Sequence, residues 1–305
     1  MNGVIVVNKP EGFTSFDVVA VMRKITGQKK IGHCGTLDPN ATGVLPVLLG
    51  RAAKAQDILP NHDKTYRATF VLGKVTDTLD IWGEVKSQEK TSVTKSELES
   101  VLCDFTGEIE QIPPMYSAVQ VGGKRLYDLA RQGIEVERKA RKITVYSLNL
   151  EEFDEDTQSG VLTVSCSKGT YIRTLIDDIA KRFCIGGCMT SLVRTDACGY
   201  NIEDSLTIEA IKAKKESGEL SDIILSIESL FVTYKEVKIS EAQAKRFANG
   251  GALLADRIRE KPEMTEGAIY RVTAPTGDFM GLAKYDGNSG ELKIYKQFSD
   301  YSKFN

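Results

Sequence analysis

The sequence predicts an α+β fold: a mixed, largely antiparallel sheet with helices, followed by a small β-rich module. Three observations carry this. Strand-like and helix-like segments follow one another without the strict alternation of a doubly wound sheet. Residues 65–73 alternate, with Tyr66, Ala68, Phe70 and Leu72 on one face, and residues 143–153 and 161–167 read as one hairpin. Past a junction at residues 226–236, short strands at 269–274, 279–285 and 292–295 are separated by glycine-bearing turns. A chain of 305 residues suits two domains, expected at 1–230 and 231–305.

The elements follow in order. Residues 4–7 form an apolar run that suits a buried strand. Thr14 and Asp17 are spaced as a capping box and open a helix carrying Phe16, Val19, Ala20 and residues 23–25, ended by Gly27. Residues 51–59 read as a helix. Thr94 and Glu97 form a second capping box, before Leu98, Val101 and Leu102. Pro113 and Pro114 exclude a regular helix at 111–118. Residues 168–173 lead into a helix bearing Leu175, Ile176, Ile179 and Phe183. A strand at 189–198 and helices at 205–215 and 240–249 complete the reading.

Composition narrows the function classes. Lys+Arg 40 against Asp+Glu 42 gives a net charge of −2, so any basic surface must be local. One candidate is 121–142, where Lys124, Arg125, Arg131, Arg138, Lys139, Arg141 and Lys142 face only three acids, with Tyr127 among them. A basic segment with an aromatic suits an RNA backbone; a surface helical hairpin of scattered charge reads equally well. No segment approaches the roughly 20 apolar residues of a membrane span, and the expected location is the cytoplasm. Six cysteines form no Cys-x-x-Cys and there are only two histidines, so no metal site is expected and the cysteines suit small buried apolar residues.

One stretch stands apart: Gly32-His33-Cys34-Gly35-Thr36-Leu37-Asp38-Pro39-Asn40-Ala41-Thr42-Gly43-Val44-Leu45. It sets one carboxylate, Asp38, in a turn between glycines and a proline, with an apolar run after it. Alone, an Asp-Pro turn is ordinary turn chemistry. The whole stretch resembles the signature of the TruB family of tRNA pseudouridine synthases, with Cys34 at its variable position. Further stretches match that family in order: Asn8-Lys9-Pro10, Lys64-Thr65-Tyr66-Arg67, Thr76-Asp77-Thr78-Leu79-Asp80, Pro113-Pro114-Met115-Tyr116-Ser117-Ala118, Gly169-Thr170-Tyr171-Ile172-Arg173 and Ser191-Leu192-Val193-Arg194. The family's usual Ala-Thr-Lys reads Ala52-Ala53-Lys54 here.

The resemblance implies isomerisation of uridine to pseudouridine at position 55 in the T-loop of tRNA. The target base must leave its stack, as for other enzymes acting on a base. Asp38 is then the nucleophile or base, Arg173 its cationic partner, and Tyr66 the ring that stacks on the uracil. Asp80 would hold Arg173 on its other side, Tyr171 and Leu192 would bound the base pocket, and His33 would pack on the extruded RNA. Lys9 and Lys54 stand as phosphate or scaffold residues. Residues 121–142 correspond to an RNA-gripping insertion, and the last 75 residues to a PUA-like RNA-binding domain. The expected partner is the T-stem and loop of tRNA, met by a monomer with no cofactor and no obligatory protein partner. The competing readings are a guide-directed enzyme of the same fold, an RNA-binding or tRNA-folding protein whose reaction is incidental, and a two-carboxylate glycoside hydrolase.

Overall fold

The computed structural model describes residues 1–299. In chain order its first half runs β1 (Gly3–Lys9), α1 (Ser15–Thr26), β2 (Ile31–His33), β3 (Thr42–Leu49), β4 (Lys64–Leu72), β5 (Lys74–Thr76), β6 (Val85–Gln88), α2 (Lys95–Leu102), β7 (Gly107–Gln111), β8 (Gln120–Val121), β9 (Lys124–Arg125) and α3 (Leu126–Ala130). Then come β10 (Arg141–Asp154), β11 (Ser159–Cys166), α4 (Ile172–Lys181), β12 (Gly187–Ala197), β13 (Tyr200–Asn201), α5 (Ile208–Glu216), β14 (Glu236–Lys238), α6 (Glu241–Ala248), β15 (Leu253–Leu254), β16 (Ile269–Thr273), β17 (Phe279–Asp286) and β18 (Glu291–Gln297). The fold is the expected α+β. Among the described residues, no helix is long and apolar enough to cross a membrane.

The main sheet follows the order β1-β3-β12-β4-β11-β10-β7, with β2 on β3 and β13 on β12. Every pairing in it is antiparallel except β3 with β12, which sets Gly43 beside Arg194. The β12–β4 register sets Arg194 beside Tyr66. One lateral row thus runs Gly43, Arg194, Tyr66, directly behind the Asp38 loop. Gly43 sits at φ +102°, and a Cβ there would lie 2.2 Å from the Arg194 carbonyl oxygen, so the close parallel crossing admits only glycine.

Two apolar layers cover this sheet. The alternating face of β4 (Tyr66, Ala68, Phe70, Leu72) meets α4 through Leu175, Ile176 and Ile179, and α2 through Leu98 and Leu102. Helices α1 and α5 pack on β1 as another layer, around Ile5, Val7, Val18, Met22 and Ile211. Both capping boxes form as the sequence predicts, and Gly27 closes α1 in the left-handed conformation. The second sheet, β14-β16-β17-β18-β15, has its own core around Val237, Phe247, Tyr270 and Met280. Phe231 in the junction stacks with Tyr234 and meets Phe279 and Phe298.

Three local expectations change. Phe16 points outward, because α1 turns Val18, Val19, Met22 and Ile25 to the core; Arg23 instead lies over its ring. The helix expected at 51–59 is a short 3-10 turn, Gly50–Ala55. Residues 121–142 form no helical hairpin. They hold the small β8–β9 hairpin, one turn and a half of α3, and irregular chain leading into β10.

Candidate active site

Asp38 sits on the loop between β2 and β3, held from both sides. From beneath, Lys9 is fully buried at the end of β1, and its ammonium donates to the carbonyls of Pro10 (2.9 Å), Phe13 (2.6 Å) and Pro39 (2.9 Å). An ammonium has three protons, and these three carbonyls take them. The three protons of Lys9 are thus taken up by backbone around the Asp38 loop. Burial lowers it to about 8, although Asp38 opposes the shift. Ser15 adds a second tie: its hydroxyl accepts from the Leu37 amide at 2.9 Å.

From behind, Arg194 is also fully buried. Its Nε donates to the Val44 carbonyl at 2.8 Å and its Nη2 to the Gly35 carbonyl at 3.0 Å. The loop is thus clipped at its start and just past its end by one side chain of β12.

Arg173, in the first turn of α4, forms the front. Its guanidinium is fixed by backbone before any carboxylate is considered: Nη1 donates to the Thr78 carbonyl at 2.9 Å, Nη2 to the Tyr116 carbonyl at 3.0 Å. Nη2 also lies 3.0 Å from Asp38 Oδ2, and Nη1 lies 3.4 Å from Asp80 Oδ2. The side chain of Arg173 is 7% exposed and that of Asp80 14%, whereas Asp38 is 47% exposed. Of the three charged groups, only Asp38 is presented to solvent. Asp80 is oriented in turn by the Thr78 hydroxyl (2.7 Å) and the Trp82 amide (3.3 Å). Its loop is tied to β12, with the Ile81 amide donating to Met189 at 2.9 Å.

Around this pair lies a cleft with two compartments, about 380 and 100 Å³. The smaller is lined by Asp38, Tyr66, Tyr171, Arg173 and Leu192 together with neighbouring loop residues. Five of the residues singled out from sequence therefore meet at one cavity. Tyr66 is buried on β4, and burial pushes its phenol up to about 12, so it is neutral at pH 7. Tyr171 precedes α4. Gln111 holds its backbone on both sides, accepting from the amide at 2.8 Å and donating to the carbonyl at 3.1 Å.

Asp80 stands behind Arg173 rather than in the lining. His33 lies on β2, one residue outside the lining that begins at Cys34. Burial lowers its imidazole. Lys54 lies in the 3-10 turn and lines neither compartment. Sequence reasoning gave Arg194 no role. The available signal was a lone cation in β12, and it gains meaning only from partners some 150 residues away. Lys64 was missed too: it lines the larger compartment and donates to the His62 carbonyl at 2.5 Å.

Residues 23–172 match the TruB family pseudouridylate synthase (N terminal domain). The chain is 42% identical over 294 residues to a tRNA pseudouridine synthase B of Clostridium perfringens, covering 96% of this chain and 98% of that one. It is 39% identical to a protein of the same name from Geobacillus thermodenitrificans, covering 98% and 100%. Among solved structures, a chain from an H/ACA RNP bound to a substrate RNA containing 2′-deoxyuridine shares the fold with a TM-score of 0.76. It is 23% identical, over 99% of this chain and 87% of that chain. With near-full-length identity of this order and the carboxylate loop built as described, the chain belongs to the TruB family of pseudouridine synthases.

Proposed function

We propose that this pseudouridine synthase isomerises the uridine at position 55 in the T-loop of tRNA, with Asp38 acting on the ribose. The observation that carries the reading is the Asp38–Arg173 pair, whose carboxylate alone is solvent-facing beside Tyr66 and Leu192. The uridine leaves its stack and enters between Tyr66, Tyr171 and Leu192. The N1–C1′ bond breaks, the uracil turns, and C5 bonds to C1′. The proton on C5 is lost and N1 gains one, so atoms balance without a change in oxidation state. As C1′ becomes electron-poor, the Asp38 carboxylate attacks there or takes a proton from C2′. Arg173 keeps that carboxylate aimed, since its own position is fixed by two carbonyls. Tyr66 stacks as a neutral phenol, so removal of the C5 proton through it is coupled to loss of its own.

Residues 1–230 are proposed as the catalytic domain and 231–305 as a PUA-like RNA-binding domain. The basic 121–142 segment is proposed as a phosphate-gripping insertion next to the cleft. The chain just before it meets the site at Tyr116, whose carbonyl accepts from Arg173 and whose hydroxyl donates to Asp77 at 3.2 Å, and the Tyr127 amide ties the segment back to the Ser117 carbonyl. A monomer acting in the cytoplasm on free tRNA completes the reading.

The test is pseudouridine formation on an unmodified tRNA transcript, mapped by position, for wild type and Asp38→Asn. Wild type is expected to modify position 55 alone. The variant is expected to bind equally but to lose about 10²–10⁴-fold in rate or more. Binding without any modification of bare tRNA would move the guide-directed reading forward.

A further inference from the structure

A uridine that reaches Asp38 brings its ribose and the phosphodiesters on either side. The smaller compartment, about 100 Å³, suits the base, and the larger, about 380 Å³, opens beside it. Three cations line the larger one: Arg173, Lys64 and Lys168. Arg173 is already committed to two carbonyls and two carboxylates. The two lysines are not.

Lys64 begins β4 and is half-buried. Its ammonium gives one proton to the His62 carbonyl at 2.5 Å. Among the described residues it forms no other hydrogen bond and no ion pair, so two of its protons have no protein acceptor. Its stem packs on the Asp38 loop. Gly35 has φ +78°, and a Cβ there would come 3.0 Å from Lys64 Cε and 3.3 Å from Arg194 Nη1. Glycine at this position therefore lets Lys64 lie against the loop, three residues before Asp38. Lys168 is exposed on the turn between β11 and α4, and its ammonium has no hydrogen bond or ion pair among the described residues. That turn is fixed. The Ser167 amide donates to the Thr144 carbonyl at 2.8 Å, and the Ser167 hydroxyl accepts from the Thr144 amide at 2.9 Å. The Thr170 hydroxyl donates to the Ser167 carbonyl at 3.0 Å.

A solvated surface lysine signifies little, but a half-buried ammonium with unmet donors carries a desolvation cost. Burial accordingly lowers Lys64. His62 lines the same compartment; burial, with Lys168 and Lys64, lowers its imidazole, so it is neutral at pH 7. The carboxylates in the lining are Asp38, which Arg173 holds, and Asp57. Neither pairs with a lysine there. An anion in this compartment would meet two ammonium groups and offset the burial of one.

We propose that Lys64 and Lys168 hold a phosphodiester flanking the extruded uridine, making the larger compartment a phosphate subsite beside the base pocket. The proposal rests on the reading of the cleft as the place where an RNA uridine is isomerised. Both lysines act as point charges on phosphate and read no base edge, so they set affinity and the placement of the ribose over Asp38.

The experiment uses a T-arm stem-loop and measures affinity and turnover across a salt series for wild type, Lys64→Met, Lys168→Met and the double variant. Each single variant is expected to raise KM about tenfold, with a smaller change in kcat. The slope of log affinity against log salt is expected to shrink by roughly 0.7 for each lysine removed. Lys64→Arg, which keeps the charge, is expected to retain the slope. Next, the phosphates beside the target uridine are replaced one at a time by neutral methylphosphonate. One replacement is expected to weaken wild type about tenfold and the double variant less than twofold. Unchanged salt slopes overturn the proposal, as do equal losses in wild type and double variant at every phosphate. A lower urea midpoint for Lys64→Met with an unchanged slope also overturns it, leaving Lys64 as scaffold. Lys168 is exposed, so its variant tests the charge without disturbing the core. Mapping the modified uridine beforehand separates this failure from failure of the position-55 reading, because the slopes report the lysines whichever uridine is the target.

Discussion

Arg173 and Arg194 are both buried, both touch the Asp38 loop or its carboxylate, and present their guanidiniums to different kinds of partner. Arg173 meets two carboxylates and two carbonyls at the mouth of the cleft. Arg194 meets carbonyls behind it, and among the described residues no carboxylate lies within 4.0 Å of it. The first sets where charge is available, the second where backbone is held. A buried cation is costly unless its donors are taken up, and the two arginines meet that cost by different means.

The contrast can be broken in four ways. Arg194→Met should leave the Val44 and Gly35 carbonyls without their donor and destabilise the protein by about 3 kcal/mol or more, read as a lower urea midpoint. An unchanged midpoint would remove the scaffold half of the comparison. Arg173→Met should act chiefly on turnover, lowering kcat on the order of 10²–10³-fold with a smaller midpoint change, since Asp38 can rehydrate. A stability loss as large as that of Arg194→Met would make the two residues equivalent. Tyr66→Phe should keep the stack and remove the hydroxyl, lowering kcat on the order of 10²-fold with KM little changed. A raised KM alone would assign the hydroxyl to binding instead.

The fourth concerns pH. Lys9 is lowered by burial to about 8 in the folded chain, below its ordinary 10.5. Between those values the unfolded chain binds more protons than the folded one, so its share of stability rises with pH. Lys9→Met should flatten that rise relative to wild type. Parallel curves would show that the three carbonyls keep the ammonium charged against burial.

Much of the site was legible because its residues are close in sequence to what defines them. Thr14 with Asp17, and Thr94 with Glu97, specify their caps within one turn. The alternation around Tyr66 specifies its buried face, and a glycine-proline frame marks Asp38. What stayed illegible depends on partners distant in the chain. The role of Arg194 follows from a parallel crossing of β3 and β12 that no local pattern announces. Lys9 reads as either a phosphate or a scaffold residue until the Phe13 and Pro39 carbonyls are seen to close over it. Phe16 fails for another reason: at the first turn of α1 an apolar residue can face either way, and the core stripe runs through Val18, Met22 and Ile25 instead.

The Arg194 clip also sets an order of events during synthesis. Its partners are translated early, and the side chain that holds them follows 150 to 159 residues later. At a ribosomal rate of 5–20 residues per second that interval is roughly 8–30 s. During it the nascent chain carries the Asp38 carboxylate on a loop with no rear support, and β12 must emerge before β3 gains its parallel neighbour. A truncated nascent chain ending before residue 187 would therefore contain Asp38, Tyr66 and Arg173 together and still lack the assembled site.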